Sequence, residues 1–350
     1  MRIFRHHQEV PVEARGAVVA LGNFDGVHRG HQAVIGEAAR ISRALGTAPA
    51  VLTFEPHPRE FFQPDQPVFR LTPFRLKMRQ IEAIGIDHVV VLHFDATLAA
   101  MSAEAFVVEI LGEGIEANHV VCGYDFVFGR GRTGNAALMR ELGQEYGFGV
   151  TSVDAAQSED GIIFSSTRVR EHLLAGEPAA ATRLLGRPWE IAGRVEHGAK
   201  LGRALDFPTA NVSMVEYLQP KWGVYAVKAG VDEGTQTHWH DGVASIGIRP
   251  TVNGTQVLLE TYLFDFSADL YHRIFRVALI DFLRPEVKFG DLSMLKRQMT
   301  QDAEKARAAL AAYQGPPPGA VPPPLHLPED RFIRPGPYDR ALKPRPHSPG

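Results

Sequence analysis

A single cysteine, Cys122, stands in 350 residues, so an internal disulfide is excluded and the chain suits a reducing compartment. No apolar run reaches the roughly 20 residues that a membrane-spanning helix needs. The opening Met-Arg-Ile-Phe-Arg-His-His has no apolar h-region, so a soluble, cytoplasmic protein is expected. Neither sign of charge dominates: 37 Lys and Arg face 40 Asp and Glu, a net charge of −3. That balance gives no general pull towards nucleic acid or anionic membrane, and neither is expected as a partner. A Walker A sequence and the protein-kinase motif set are missing as well. What is abundant is apolar residues, 45% of the chain, enough at this length for two cores.

From Ala17 to about Gly176, strand-like runs alternate with helical patterns. Ala17–Phe24, Ala50–Phe54, Val89–Phe94 and His119–Cys122 read as strands. The first helix carries Val34, Ala38, Ile41 and Leu45 and closes at Gly46. Thr72 and Pro73 read as an N-cap and first helical residue, and Gly85 as that helix's end. Ser102 caps a helix to Leu111, and helices are expected near Ala136–Tyr146 and Ser166–Ala175. The expected fold is α/β, a Rossmann-like parallel sheet covered on both faces, with ligands at the carboxyl ends of its strands. After Arg187 the rhythm changes to five β segments: Trp189–Val195, Gly223–Ala229, Gly242–Ile248, Val257–Phe266 and Ile274–Leu283. One helix follows, with Leu292, Leu295, Met299, Ala303, Ala306 and Leu310 at helical spacing. This half is expected to be a small antiparallel barrel. The domains are therefore 1–186, 187–313, and a tail 314–350 that holds 12 of the 25 prolines and is expected to be disordered or polyproline-like.

Four segments of the first domain carry chemistry. Gly22-Asn-Phe-Asp-Gly-Val-His-Arg-Gly-His31 is a strand-to-helix turn that places His28 and His31 together at a helix start, where unpaired N–H groups and the helix dipole receive phosphate. Gly26 and Gly30 remove side chains where a ligand would approach the backbone. In Thr53-Phe-Glu-Pro-His-Pro58, two prolines fix the direction of His57. Gly123–Gly129 offers aromatics for a planar ring, with Phe128 and the carboxylate of Asp125. Ser165, Ser166, Thr167 and Arg168 open a helix as a second phosphate cradle. Each segment alone is commonly a cap, a turn or core. All four follow strands on one edge of one sheet.

In the second domain the informative stretch runs from Gly198 to Asn211. Gly202 and Arg203 precede a Pro-Thr-Ala-Asn turn, and Thr209 and Asn211 are hard oxygen ligands suited to Mg²⁺ on nucleotide phosphates. Glu260 sits mid-strand among apolar residues, where it either faces solvent or points into the barrel as a base.

The four first-domain motifs, in this order around His-x-Gly-His, resemble the FMN adenylyltransferase half of bacterial bifunctional riboflavin kinase/FAD synthetases. Phe207-Pro-Thr-Ala-Asn211, Gly223-Val-Tyr225, Gly247-Ile-Arg-Pro-Thr251, Glu260, Arg284-Pro-Glu286 and the helix bearing Asp302 resemble the riboflavin kinase half. The resemblance spans about residues 15–312. It implies ATP-dependent phosphorylation of riboflavin to FMN, then transfer of AMP from ATP to FMN, with riboflavin, FMN and ATP as substrates and Mg²⁺ as cofactor. It implies that His28 and His31 hold the ATP phosphates and that Ser165–Arg168 neutralise the departing pyrophosphate. Gly22, Phe24 and Gly30 would shape the ATP pocket, His57, Pro58, Asp125 and Phe128 would wall the nucleotide and flavin, Glu260 would be the kinase base, and Arg284 would lie near the flavin or its new phosphate. Three positions depart from the family pattern: Asp206 stands where glycine is usual, His272 where glycine is common, and Tyr262 where histidine is frequent. An adenylyltransferase with an impaired kinase, or a non-catalytic flavin-binding protein, are the alternatives.

Overall fold

Runs of Val, Ala and Leu with almost no polar interruption build the first sheet. In the computed structural model, which describes residues 1–158, 160–197, 207–234, 236–251 and 254–322, six strands lie in the order β1-β4-β3-β2-β5-β6. They are β1 (Arg2–Phe4), β2 (Val18–Leu21), β3 (Pro49–Glu55), β4 (His88–His93), β5 (His119–Gly123) and β6 (Gly149–Val153). Every pairing is parallel. Apolar strands of this kind are buried on both faces, and two separate cores, one per face, do so. The chain order reverses on either side of β2, so its carboxyl end is the switch point at which such sheets bind ligands.

Helices α1 (Arg29–Leu45), α2 (Pro58–Phe62), α3 (Phe74–Glu82), α4 (Ala96–Ala100), α5 (Ala103–Ala105), α6 (Ala136–Tyr146), α7 (Ser166–Ala175) and α8 (Pro178–Leu185) connect the strands and lead out of the sheet. Gly46 ends α1 in the left-handed region as expected, although Leu45 is exposed. Ser102 caps α5, which continues as π-helical turns over Phe106–Gly114. Thr72 corrects an expectation. It does not cap α3, whose N-cap is Pro73 without a side-chain bond. Its hydroxyl instead accepts from the Gly26 N–H at 2.8 Å, so it serves the turn after β2.

The second domain holds β7 (Trp189–Arg194), β8 (Ala210–Ser213), β9 (Gly223–Val231), β10 (His240–Thr251), β11 (Gly254–Leu263) and β12 (Ile274–Pro285), ordered β7-β12-β9-β10-β11-β8. All pairings are antiparallel, and a bridge from Glu196 to Asn211 brings the two outer strands together. Asn211 thus lies in β8, not in a turn. Helix α9 (Leu292–Ala312) packs Ala306 and Leu310 against the outer face of the barrel. Its first turns do not join that core: Leu292 is exposed, while Leu295 and Met299 line a cavity. His272, at a glycine-favouring position, adopts φ +61°.

The domain boundary is not a free linker. Leu71, Val169, Leu173, Leu184 and Leu185 of the first domain share one core with Trp189, Ile191, Tyr225, Phe275 and Leu279 of the barrel. The indole N–H of Trp189 donates to the Leu71 carbonyl at 2.9 Å, and Arg79 pairs with Asp232. The start of the tail, residues 314–322, lies against both domains. The Gly319 N–H donates to Glu190 at 2.5 Å. Gly186 accommodates Pro322, whose Cγ would lie 2.6 Å from a Cβ there. The rest of the tail lies outside the described residues.

Candidate active sites

The turn after β2 folds tightly because its glycines allow it. Gly26 takes φ +86° and is flanked by two non-glycine residues with positive φ, Phe24 and Val27, a combination found where surrounding structure holds a strained backbone. The holding groups are visible. Asp25, 4% exposed, accepts from the backbone N–H of Leu71 at 2.9 Å and of Thr72 at 3.0 Å. It also pairs with Arg170 at 2.5 Å, and its carbonyl accepts from the Ser166 hydroxyl at 2.8 Å. The loop after β6 and the turn after β2 are therefore one unit.

His28 is the N-cap of α1, and its Nδ1 accepts the His31 backbone N–H at 3.3 Å. The neutral ring then carries its proton on Nε2. His28 and His31 stack with centroids 3.6 Å apart, and Phe24 meets His31 edge-on at 5.3 Å. Gly22 and Gly30 make room for them: a Cβ at Gly22 would sit 3.0 Å from the Phe24 ring, and one at Gly30 3.1 Å from the His28 ring. Burial, with the charges of Arg170 and Arg187 behind it, pushes His28 down to about 3. Burial also holds His31 well below its ordinary value. Nδ1 of His31 is buried with no hydrogen-bond partner among the described residues.

His57 caps α2, with Pro58 as the first helical residue. Burial, partly offset by Asp25, lowers it to about 4. His57, Lys77 and Arg170 all lie close enough to act electrostatically on His31, so groups from three elements converge beside it, with Lys77 paired to Glu55 and Arg170 to Asp25. At α7, the Ser165 hydroxyl caps the Arg168 N–H at 3.3 Å, and the Ser166 hydroxyl is occupied by the Asp25 carbonyl. Thr167 and Arg168 are exposed. Phe128 is 6% exposed and packs on Phe106 and Phe126. Asp125 is exposed. The exposed rings on this edge are Phe61 and Phe62, which pack on Phe94, and Tyr124. The Phe61-Phe62 pair in a polar stretch was the signal available for them.

In the barrel, Glu260 pairs in register with Asn211, which places both on one face, with Thr209 two residues away. That face is the outer one. Leu259 and Leu263 enter the barrel core, while Glu260 lines a cavity of about 580 Å³ beneath α9, together with Thr209, Tyr262, Arg284 and Phe289. Neither simple expectation for Glu260 holds, since it points neither to open solvent nor into the barrel. Arg249 grips it, donating from Nε at 2.6 Å and reaching Glu286 at 2.7 Å and the Ser245 hydroxyl at 2.9 Å. Burial opposes the charge of Arg249, but the two carboxylates outweigh it and raise its pKa. Arg284 is held by Asp302 through Nε at 2.9 Å and a terminal nitrogen at 2.7 Å. Asn211 Oδ1 is buried without a hydrogen-bond partner among the described residues. Gly202, Arg203 and Asp206 lie outside the described residues.

A family model described as FAD synthetase matches residues 10–168, and one described as riboflavin kinase matches residues 185–310. The bifunctional riboflavin kinase/FMN adenylyltransferase of Escherichia coli K12 is 41% identical over 293 residues, covering 83% of this chain and 92% of its own. That of Pseudomonas fluorescens is 42% identical over 318 residues, covering 89% and 98%. The chain belongs to the bifunctional riboflavin kinase/FMN adenylyltransferase family. A solved structure described as a macrolide-efflux protein from Streptococcus pneumoniae superposes with a TM-score of 0.75 at 28% identity, covering 87% of this chain and 98% of its own. Among the described residues of this family member, no helix is long and apolar enough to cross a membrane. The parallel sheet carries the FAD synthetase match and the barrel the riboflavin kinase match.

Proposed function

We propose that the cavity beneath α9 phosphorylates riboflavin to FMN and that the pocket at the carboxyl edge of the parallel sheet converts FMN to FAD. In the first reaction the riboflavin 5′-hydroxyl oxygen bonds to the γ-phosphorus of ATP, the bond from that phosphorus to the bridging oxygen breaks, and ADP leaves. Glu260 accepts the hydroxyl proton, and Arg249 positions it. Phe207, Tyr262, Leu295, Met299 and Phe289 supply apolar walls for a flavin ring, and Arg284, fixed by Asp302, stands beside them. The unpartnered Asn211 Oδ1 and the hydroxyl of Thr209 fit Mg²⁺, a hard cation that takes few protein oxygens when phosphates supply the rest. Bound there, it would neutralise phosphate charge.

In the second reaction an FMN phosphate oxygen bonds to the α-phosphorus of ATP, the bond to the β-phosphate oxygen breaks, and pyrophosphate leaves. The attacking group is already anionic, so no base is required and alignment with charge stabilisation carries the rate. His28 and His31 donate to the triphosphate beside the N–H groups of α1. Thr167, Arg168 and the start of α7 receive the pyrophosphate, while Ser165 and Ser166 hold that helix in place. His57 and Pro58 line the nucleotide side and Phe62 the flavin side. The observation that carries this reading is the His28–His31 stack at a helix N-terminus on the switch point of the sheet. A timed chromatographic assay with riboflavin, ATP and Mg²⁺ tests it. FMN appearing first and FAD after it is expected. FAD from added FMN with nothing from riboflavin would leave only the adenylyltransferase, and no product from either would favour a flavin-binding protein.

A further inference from the structure

Arg187 lies 2% exposed at the entry to the barrel, too deep to touch any substrate. One terminal nitrogen donates to the Val27 carbonyl at 3.1 Å and to the Leu185 carbonyl at 3.2 Å, and the other to the Gly26 carbonyl at 2.8 Å. Gln32 braces the same backbone from α1, donating to the Val27 and Leu185 carbonyls at 2.8 Å each. Gly26 and Val27 are the positive-φ residues that immediately precede His28. A guanidinium is planar and presents donors in a fixed fork, so three carbonyls of two segments are held in one geometry.

We propose that Arg187 is a positioning residue for adenylyl transfer, a group from the kinase half that fixes the turn bearing His28. The assignment rests on reading residues 22–31 as the adenylyl-transfer site. It separates structure from family boundaries: the FAD synthetase match ends at 168, whereas Arg187 falls within the riboflavin kinase match. The barrel also reaches this region through Trp189 and the Leu71 carbonyl, and Leu71 is one of the two residues whose N–H groups hold Asp25. Docking of the barrel and the shape of the nucleotide turn are thus linked through Arg187 and through residues 71–72. Arg187 also places a permanent charge behind His28, although burial draws its own pKa down to about 10.

The test uses the full-length chain and both activities of each variant. A small displacement of a group aligned on reacting phosphates costs on the order of 10²-fold. In Arg187→Met, kcat for FAD formation from FMN is expected to fall by about 10- to 100-fold. KM for FMN and kcat for riboflavin phosphorylation should stay within a factor of about two, the internal control for folding. Should that variant fail to fold, Arg187→Lys keeps the charge and loses the fork, and a selective fall of several-fold in FAD formation is expected. Equal losses in both activities, or no loss in FAD formation, overturn the proposal. His28→Asn run in parallel separates the two ideas. If it leaves FAD formation intact, the reading of the site fails, whereas a His28→Asn loss without an Arg187→Met loss defeats only the role of Arg187.

Discussion

Burying neutral histidines makes the stability of the first domain depend on pH in a direction that can be worked out. An unfolded imidazole takes up a proton below about 6.5, whereas His28 in the folded chain resists it until about 3. Between those values the unfolded chain binds more protons, so stability falls as pH drops below 6.5 and is fully present above it. At pH 5 the loss from His28 alone is about 2 kcal/mol, which corresponds to about 4–8 °C in melting temperature for a domain of this size. His28→Asn isolates the effect, because asparagine keeps the N-cap and does not titrate. Urea unfolding followed by far-UV circular dichroism, at pH 7 and pH 5, measures the loss in each protein. The variant should lose about 2 kcal/mol less than wild type between the two conditions. Equal losses would show that His28 is not held neutral and would remove the basis for its fixed tautomer.

Three further outcomes follow from the same contacts. Asp25→Ala leaves two buried N–H groups unpaired and strands the Arg170 guanidinium, so a loss of about 3–5 kcal/mol in unfolding free energy is expected; a change under 1 kcal/mol would contradict the network. Gly26→Ala forces a Cβ to within 2.8 Å of Leu71 at φ +86°, and FAD formation should drop while riboflavin phosphorylation persists. Asn211→Ala should raise the Mg²⁺ concentration needed for half-maximal kinase rate by about tenfold, as expected when a positioned metal contact is lost; an unchanged Mg²⁺ titration would take Asn211 out of that role.

The sequence was most legible where periodicity is long. α6 and α7 fall at the expected residues, α1 ends at Gly46, and β2 to β5 are found, each shifted by a few residues at its ends. β1 and β6 were not anticipated because three residues, or a half-polar Gly-Val-Thr-Ser-Val run, show no distinct alternation; pairing with β4 and β5 defines them. β8 was hidden by the turn chemistry of Pro208 and Thr209. Of the residues proposed for the two sites, His28, His31, Thr209, Asn211 and Glu260 stand out by residue type and local spacing. Asp25 and Arg170 do not, since their partnership joins positions 145 residues apart. Arg187 was equally opaque, because a side chain that braces another residue leaves no local motif; Arg249 and Asp302 lie in segments that carry the resemblance, but their bracing of Glu260 and Arg284 shows only in the fold. The burial of Phe128 was hidden for the converse reason: an aromatic in a glycine-rich loop looks exposed, yet its ring lies where a Cβ at Gly134 would come within 2.7 Å.

The two reactions are proposed to occur at two separate sites, and a pair of variants assayed for both products tests that most directly. His28→Asn should form FMN from riboflavin at the wild-type rate and lose FAD formation by at least about 10²-fold. Glu260→Gln should form FAD from FMN at the wild-type rate and lose FMN formation by about 10²–10⁴-fold. If either variant loses both activities while remaining folded, or if the losses are exchanged, the assignment of the two reactions to these sites is wrong.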